Sequence, residues 1–200
     1  GSFPSNPTAQ LCDIDFYNEL ISFAKKNNLW ILSDLAYAEI YFDGNPPPSI
    51  LQVNGAKEVA VEFTSLSKTF SMPGWRMGFA VGNSRLIDAL TRIKSYLDYG
   101  AFTPIQVAAA TALNGETDCI ASIRDTYKSR RNILIDSMER IGWTIPSPPA
   151  TMFAWAPLPI KFQQIGSMAF SKILLQEASV AVSPGICLLY TSDAADDGLS

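Results

Sequence analysis

Two hundred residues, 48% of them hydrophobic and 17% charged, suit one large domain or one and a half small ones with a sizeable core, and exclude a disordered chain. A formal net charge of -4 and a pI near 4.8 argue against a nucleic-acid backbone or an anionic membrane as the main partner. Histidine is absent, which excludes Ser-His-Asp and Cys-His nucleophiles and His-ligated zinc within the chain, and leaves acid-base work to lysine, tyrosine or carboxylates.

Helical and extended patterns alternate along the chain. Residues 13–28 set Phe16, Tyr17, Leu20, Ile21 and Ala24 on one helical stripe after an acidic start. "LWILS" at 29–33 reads as a buried strand, and "VAVEF" at 59–63 and "GFAVG" at 78–82 as further short apolar runs rich in β-formers, with turns at "DGNPPPS" (43–49) and "MPGW" (72–75) between them. Helices are expected over 84–97, 104–113 and 118–141, the last closed by Gly142. "MFAWAPL" (152–158) then reads as a strand and "SMAFSKILLQEA" (167–178) as a helix. Met152, Phe153 and Trp155 either line a substrate mouth or pack under a sheet. The pattern is α/β, a mostly parallel sheet with flanking helices, in which ligands sit beyond the carboxyl ends of the strands.

No run approaches the roughly 20 apolar residues of a membrane span, and the first residues show no basic-then-apolar leader, so the expected compartment is the cytoplasm. Cys12, Cys119 and Cys187 are far apart and form no C-x-x-C pair, as expected of reduced thiols.

The strand-end rule directs attention to Asp34 with nearby Tyr37, to Thr64 and Ser65, and to Asn6 before Pro7. "NPTA" (6–9), "SDLAY" (33–37), "SLSK" (65–68) and the arginine of "PGWR" (73–76), in this order and spacing, resemble the class I, fold-type I aminotransferases that use pyridoxal 5'-phosphate. The likeness extends over about residues 3–186, and "KSYLDYGAFTPIQ" (94–106) with "VAVSPGI" (180–186) is most similar to the alanine (glutamate-pyruvate) transaminase branch.

The resemblance implies roles for these residues. An aldehyde cofactor is held by a primary amine as a Schiff base, and lysine supplies one, which makes Lys68 the anchor and catalytic residue. A lysine acts as a neutral amine near pH 7 only in partly dry or electropositive surroundings. Arg76 and Ser65 would contribute while binding the cofactor phosphate. Asp34 would face the pyridine nitrogen and keep it protonated, and Tyr37 and Asn6 would bond the ring's phenolic oxygen. The same residue types also serve plainer ends: Lys68 as a solvated loop lysine, Arg76 as a surface residue, Asp34 as a helix N-cap, Tyr37 as a core aromatic and Asn6 as a turn-former.

The implied protein moves an amino group between an amino acid such as alanine or glutamate and a 2-oxo acid, as a homodimer, with neither nucleic acid nor membrane as partner. The alternatives are an aminocyclopropane-carboxylate-synthase-like lyase and a non-catalytic cofactor-binding or interaction module. Residues 1–129 read as part of the cofactor-binding large domain and 130–186 as part of a small α+β domain. Residues 187–200, "CLLYTSDAADDGLS", read as a non-native tail. The family's phosphate-cupping turn, ring-stacking aromatic and carboxylate-binding arginine have no counterpart in this sequence, so the expectation is a fragment of little or no activity. Ala9 stands where many members of this family carry glycine, a substitution that strains any turn requiring left-handed backbone but one that the alanine transaminase branch accepts.

Overall fold

A computed structural model describes residues 1–44 and 46–189, so most of the tail expected at 187–200 lies outside the described residues. The first helix, α1 (Ile14–Asn27), starts where Asp13 accepts the backbone N–H of Phe16 at 2.8 Å and ends at Asn28, which adopts the left-handed conformation at φ 53°. Its stripe buries Tyr17, Ile21 and Ala24 against Ile31, Ile50, Val53, Ala56 and Ala60. Phe16, expected on that stripe, is 41% exposed and instead meets the ring of Phe3 edge-on at 5.4 Å. The buried stripe excludes Phe16 because it precedes Tyr17 by a single residue and points about 100° away.

Three strands form the sheet among the described residues: β1 (Ile31–Asp34), β2 (Ala60–Ser65) and β3 (Gly78–Gly82). β1 and β2 run parallel, with Asp34 opposite Phe63, and an isolated parallel bridge joins Ser2 to Asp34. β3 is antiparallel to β2 and sets Gly78 opposite Ser65. Parallel pairing therefore holds on the β1 side, and β3 makes the sheet mixed. The antiparallel turn is possible because α2 (Leu66–Thr69) is a single helical turn followed by the short 3-10 turn at Pro73–Trp75, too little chain for a parallel crossover.

Gly78 has no room for a side chain. A β-carbon there would meet the Thr64 carbonyl oxygen at 2.6 Å, a contact with backbone that cannot swing aside. Gly78→Ala should therefore push β3 away from Ser65 and lower unfolding free energy by about 1 to 3 kcal/mol, measured by urea titration. An unchanged midpoint would show that the strands part at no cost.

α3 (Ser84–Leu97) begins at Asn83, whose side chain accepts the Leu86 N–H at 3.3 Å and donates to the Lys57 and Glu58 carbonyls at 3.0 and 2.9 Å. α4 (Thr103–Asn114) and α5 (Asp118–Arg140) follow. No helix among the described residues is long and apolar enough to cross a membrane.

The chain divides into two compact units, Gly1–Arg131 with Pro148–Phe153, and Asn132–Ser147 with the residues from Ala154 onward. In the second, Phe170 of α6 (Gly166–Ala178) is buried beneath Trp143 and Phe162, at ring distances of 5.5 and 4.9 Å. Gly142 closes α5 with φ 78° and its N–H on the Glu139 carbonyl, as its sequence position implied. The strand expected at 152–158 does not form among the described residues. Pro157 has no N–H to give a ladder and Pro159 follows two residues on, so apolar content alone misled there.

Candidate active site

The parallel pairing of β1 and β2 brings their carboxyl ends side by side, and the chain leaves each through polar residues. Asp34 ends β1, exposed, with its N–H on the Gly1 carbonyl at 2.8 Å. One carboxyl oxygen accepts the Ala36 N–H at 3.0 Å, an Asx turn that bends the chain toward Tyr37. The N-cap reading of Asp34 thus becomes a turn, since residues 36–39 are not helical.

Tyr37 is buried, its ring edge-on to Phe153 at 5.3 Å. The amine of Lys68 lies 5.7 Å from the centre of the same ring. Burial first, then the charge of Asp34 and the neighbouring Tyr127, raises the Tyr37 phenol above the ordinary tyrosine range.

Ser65 ends β2 and its hydroxyl accepts the Ser67 N–H at 3.1 Å, starting the turn that carries Lys68. Leu66, 1% exposed, roots that turn in the core, and Lys68 is half-buried. Arg76 follows the Pro73–Trp75 turn in left-handed backbone at φ 53°, two residues before the glycine paired with Ser65. Arg76 is exposed and its guanidinium donates to the Pro73 carbonyl at 3.0 Å, with no hydrogen bond to Lys68 or Ser65 among the described residues. Asn6 is exposed in a turn closed by the Ala9 N–H on the Ser5 carbonyl at 2.9 Å. Ala9 takes left-handed backbone at φ 59° while 1% exposed, so the turn does carry the strain its residue type implied, roughly 1 to 2 kcal/mol.

The structure thus puts Tyr37 and Lys68 in proximity, with the Asp34 charge bearing on Tyr37. Ser65 and Arg76 share the same sheet edge by register, and Asn6 follows the Ser2 bridge to it. Among the described residues, the Lys68 amine, the Tyr37 hydroxyl, the Asn6 amide and the second Asp34 oxygen have no hydrogen-bond partner. An apolar groove of about 310 Å³ lined by Phe16, Phe23, Trp30 and Leu32 contains none of the six.

Two groups of supporting residues were missed in the sequence. Glu62, buried in the middle strand, accepts the Ser49 hydroxyl at 2.6 Å, the Ile50 N–H at 3.0 Å and the Ser33 hydroxyl at 3.3 Å. The signal was a lone acid inside "VAVEF". On α5, Arg124, Lys128 and Arg131 meet the stretch Glu39–Asp43, an i, i+4, i+7 basic row whose spacing was visible.

Arg131, and then Lys128, hold the Asp43 carboxyl below its ordinary range against a smaller opposing effect of burial. A lowered native value means stabilisation present at neutral pH and lost as pH falls through that value. Asp43→Asn should cost about 1 kcal/mol or less at pH 7, the side chain being 54% exposed and screened, and the difference should close on acidification below about pH 4. Urea midpoints at several pH values check this, and a gap that persists in acid would contradict it.

Residues 3–194 match the family described as aminotransferase class I and II. The chain is 50% identical to the glutamate-pyruvate aminotransferase AlaC of Escherichia coli over 92% of its own length and 45% of that protein. It is 45% identical to an LL-diaminopimelate aminotransferase of Natranaerobius thermophilus, over 92% of this chain and 47% of that one. The solved structure of apo-BacF from Bacillus subtilis superposes with a TM-score of 0.88 at 38% identity, covering 92% of this chain and 47% of that chain. The chain therefore spans about half the length of the curated relatives it matches.

Proposed function

The chain belongs to the class I and II aminotransferases, and from that premise we propose that it carries the lysine site of a pyridoxal 5'-phosphate-dependent enzyme exchanging amino groups between an amino acid such as alanine or glutamate and a 2-oxo acid. The observation that carries the reading is the half-buried Lys68 amine beside the buried Tyr37 ring, at the strand ends where Asp34 and Ser65 also lie.

Pyridoxal phosphate, when bound, supplies an aldehyde for amine exchange and a ring that accepts electron density. The side chains fit it by chemistry: an amine, a carboxylate, a phenol, an amide, a hydroxyl and a guanidinium, several with hydrogen-bonding capacity unspent inside the protein. Lys68 Nζ would hold the aldehyde and, when free, take the proton from the substrate α-carbon. Asp34 would hold the ring N–H. Tyr37 and Asn6 would donate toward the ring oxygen, and Ser65 and Arg76 toward the phosphate. Leu66 and Phe153 keep α2 and Tyr37 in place so that these groups need not be reordered on binding.

In the full reading frame the reading further includes a homodimer. Tyr96, Leu97, Tyr99 and Phe102 are 77%, 76%, 91% and 72% exposed, a concentration of apolar surface that association would cover.

Asp34→Asn separates charge from turn, because an asparagine oxygen still accepts the Ala36 N–H. Losing one charge-assisted bond costs about 1.5 to 3 kcal/mol, so pyridoxal phosphate affinity should fall roughly ten- to hundredfold, followed by the cofactor's absorbance. Unchanged affinity would leave Asp34 a turn residue only. Turnover of alanine with 2-oxoglutarate by the full reading frame tests the activity itself, and absence of turnover there would overturn the proposal.

A further inference from the structure

Between the fixed end of β1 and Asp43 the chain has no regular secondary structure, yet Tyr37 is buried within it. Something other than a ladder must therefore set its place. On one side, Phe42 donates to the Pro149 carbonyl at 2.9 Å, Thr151 donates to the Ile40 carbonyl at 2.7 Å, and Tyr41 bridges Ala150. α5 grips the segment through side chains. Lys128 donates to the Phe42 carbonyl at 3.1 Å and pairs with Asp43 at 3.2 Å. Arg131 pairs with Asp43, lies 4.8 Å from the Phe42 ring centre and donates to the Pro148 carbonyl at 3.1 Å.

Arg124 makes the grip nearest Tyr37, and it is threefold. Its Nε donates to the Glu39 carbonyl at 3.0 Å, a terminal nitrogen to the Glu39 carboxylate at 3.0 Å, and its plane covers the Tyr41 ring at 3.9 Å. Ile40, between those two contacts, donates its N–H to the Tyr37 carbonyl at 3.0 Å. A planar fork that bonds backbone and side chain of one residue while stacking on another fixes the segment in rotation as well as distance, which an ammonium cannot do. Lys128 and Arg131 already secure residues 42 and 43. The contacts of Arg124 are thus surplus to anchoring the segment's far end and bear on its near end.

We propose that Arg124 is a positioning residue for Tyr37: by clamping Glu39 and Tyr41 it fixes the tyrosine ring against Lys68, so that a helix outside the lysine site sets that site's geometry. The proposal rests on the functional reading of Lys68 given above. The charged and titratable groups around Tyr37 are Asp34 from the β1 end, Lys68 from α2 and Tyr127 from α5, one turn along from Arg124.

The experiment uses the full chain and two readouts. The alkaline absorbance change due to Tyr37, isolated by subtraction of Tyr37→Phe, reports the burial of its hydroxyl without any cofactor. Borohydride trapping of pyridoxal phosphate, located by peptide mass, reports Lys68. Arg124→Met should move the Tyr37 midpoint down toward that of free tyrosine and slow trapping at Lys68 on the order of tenfold, with Arg124→Lys recovering part of both. Asn83→Ala, which loosens the α3 cap away from this segment, should move neither. If Arg124→Met fails to fold, Glu39→Ala, which removes the carboxylate contact of the three, is read in the same way. An unmoved Tyr37 midpoint in the folded Arg124 or Glu39 variant would overturn the proposal, as would an equal effect of Asn83→Ala. Should trapping in the unsubstituted chain show no preference for Lys68, the functional reading fails, and the Tyr37 midpoint alone decides the positioning role.

Discussion

Lys68→Ala should abolish borohydride-stable attachment of pyridoxal phosphate at the strand-end site while leaving the chain folded. The linkage requires a primary amine, and none of the other groups gathered there, carboxylate, phenol, amide, hydroxyl or guanidinium, can replace it. Folding should survive because, among the described residues, the Lys68 amine has no ion pair to orphan and contributes only a distant approach to the Tyr37 ring, 5.7 Å from its centre. Leu66, buried at the start of the same turn, is what roots α2. Alanine also suits a helical turn at least as well as lysine. Exposed lysines will react slowly with an aldehyde in any protein, so the measurement is the labelled peptide and not total incorporation. Lys68→Arg keeps the charge and much of the bulk and should fail equally. Labelling at another strand-end residue, at the unsubstituted rate, would mean the anchor lies elsewhere.

Glu62→Ala should cost about 3 kcal/mol of stability. The carboxyl of Glu62 receives three donors, and two of the groups involved, the Ile50 N–H and the Ser33 hydroxyl, belong to residues only 0% and 3% exposed. A buried donor stripped of its acceptor costs about 1 to 3 kcal/mol, and the missing side chain leaves a void between the strand and the Ser49–Ile50 turn. The hydroxyls can rotate to other acceptors, but the Ile50 N–H cannot. Glu62→Gln should therefore recover most of the loss, since its amide oxygen still accepts that N–H. Urea unfolding of the two variants distinguishes these outcomes. Equal destabilisation by both would point to the charge of Glu62 and not to its acceptor geometry, and a loss below about 1 kcal/mol for alanine would show that the turn re-pairs with water.

Local pattern was enough where the physics is local. Strand β3 and helix α3 appear over the residues their apolar run and helical pattern indicated, Gly78–Gly82 and Ser84–Leu97. Asp34, Tyr37, Ser65 and Lys68 were legible for the same reason, each lying within three residues of a strand end. Asn6 and Arg76 were legible as motif members, yet among the described residues neither hydrogen-bonds Lys68, because each sits in a turn that determines its own direction. What stayed hidden depends on partners remote in sequence. Arg124 and Glu39 are 85 residues apart, and nothing in either neighbourhood states that they pair. Glu62 was visible as an anomaly within an apolar strand, but its donors come from two other segments. The failed strand at 152–158 is the converse case, an apolar run whose Pro157 prevents regular pairing.

The parallel bridge, strand β1 and strand β2 deliver their polar residues to one edge because each chain segment counts the same distance from a shared register. Insertions will therefore be tolerated unevenly. One extra residue between Ile31 and Asp34 turns Asp34 to the opposite face of the sheet and drags the Tyr37 segment with it. The same residue added at exposed Pro46 lengthens a connection that runs between the strands and leaves both ends where they were. Over generations of copying errors, length variation in such a chain should accumulate in its return loops, while the steps from strand to site keep a fixed count.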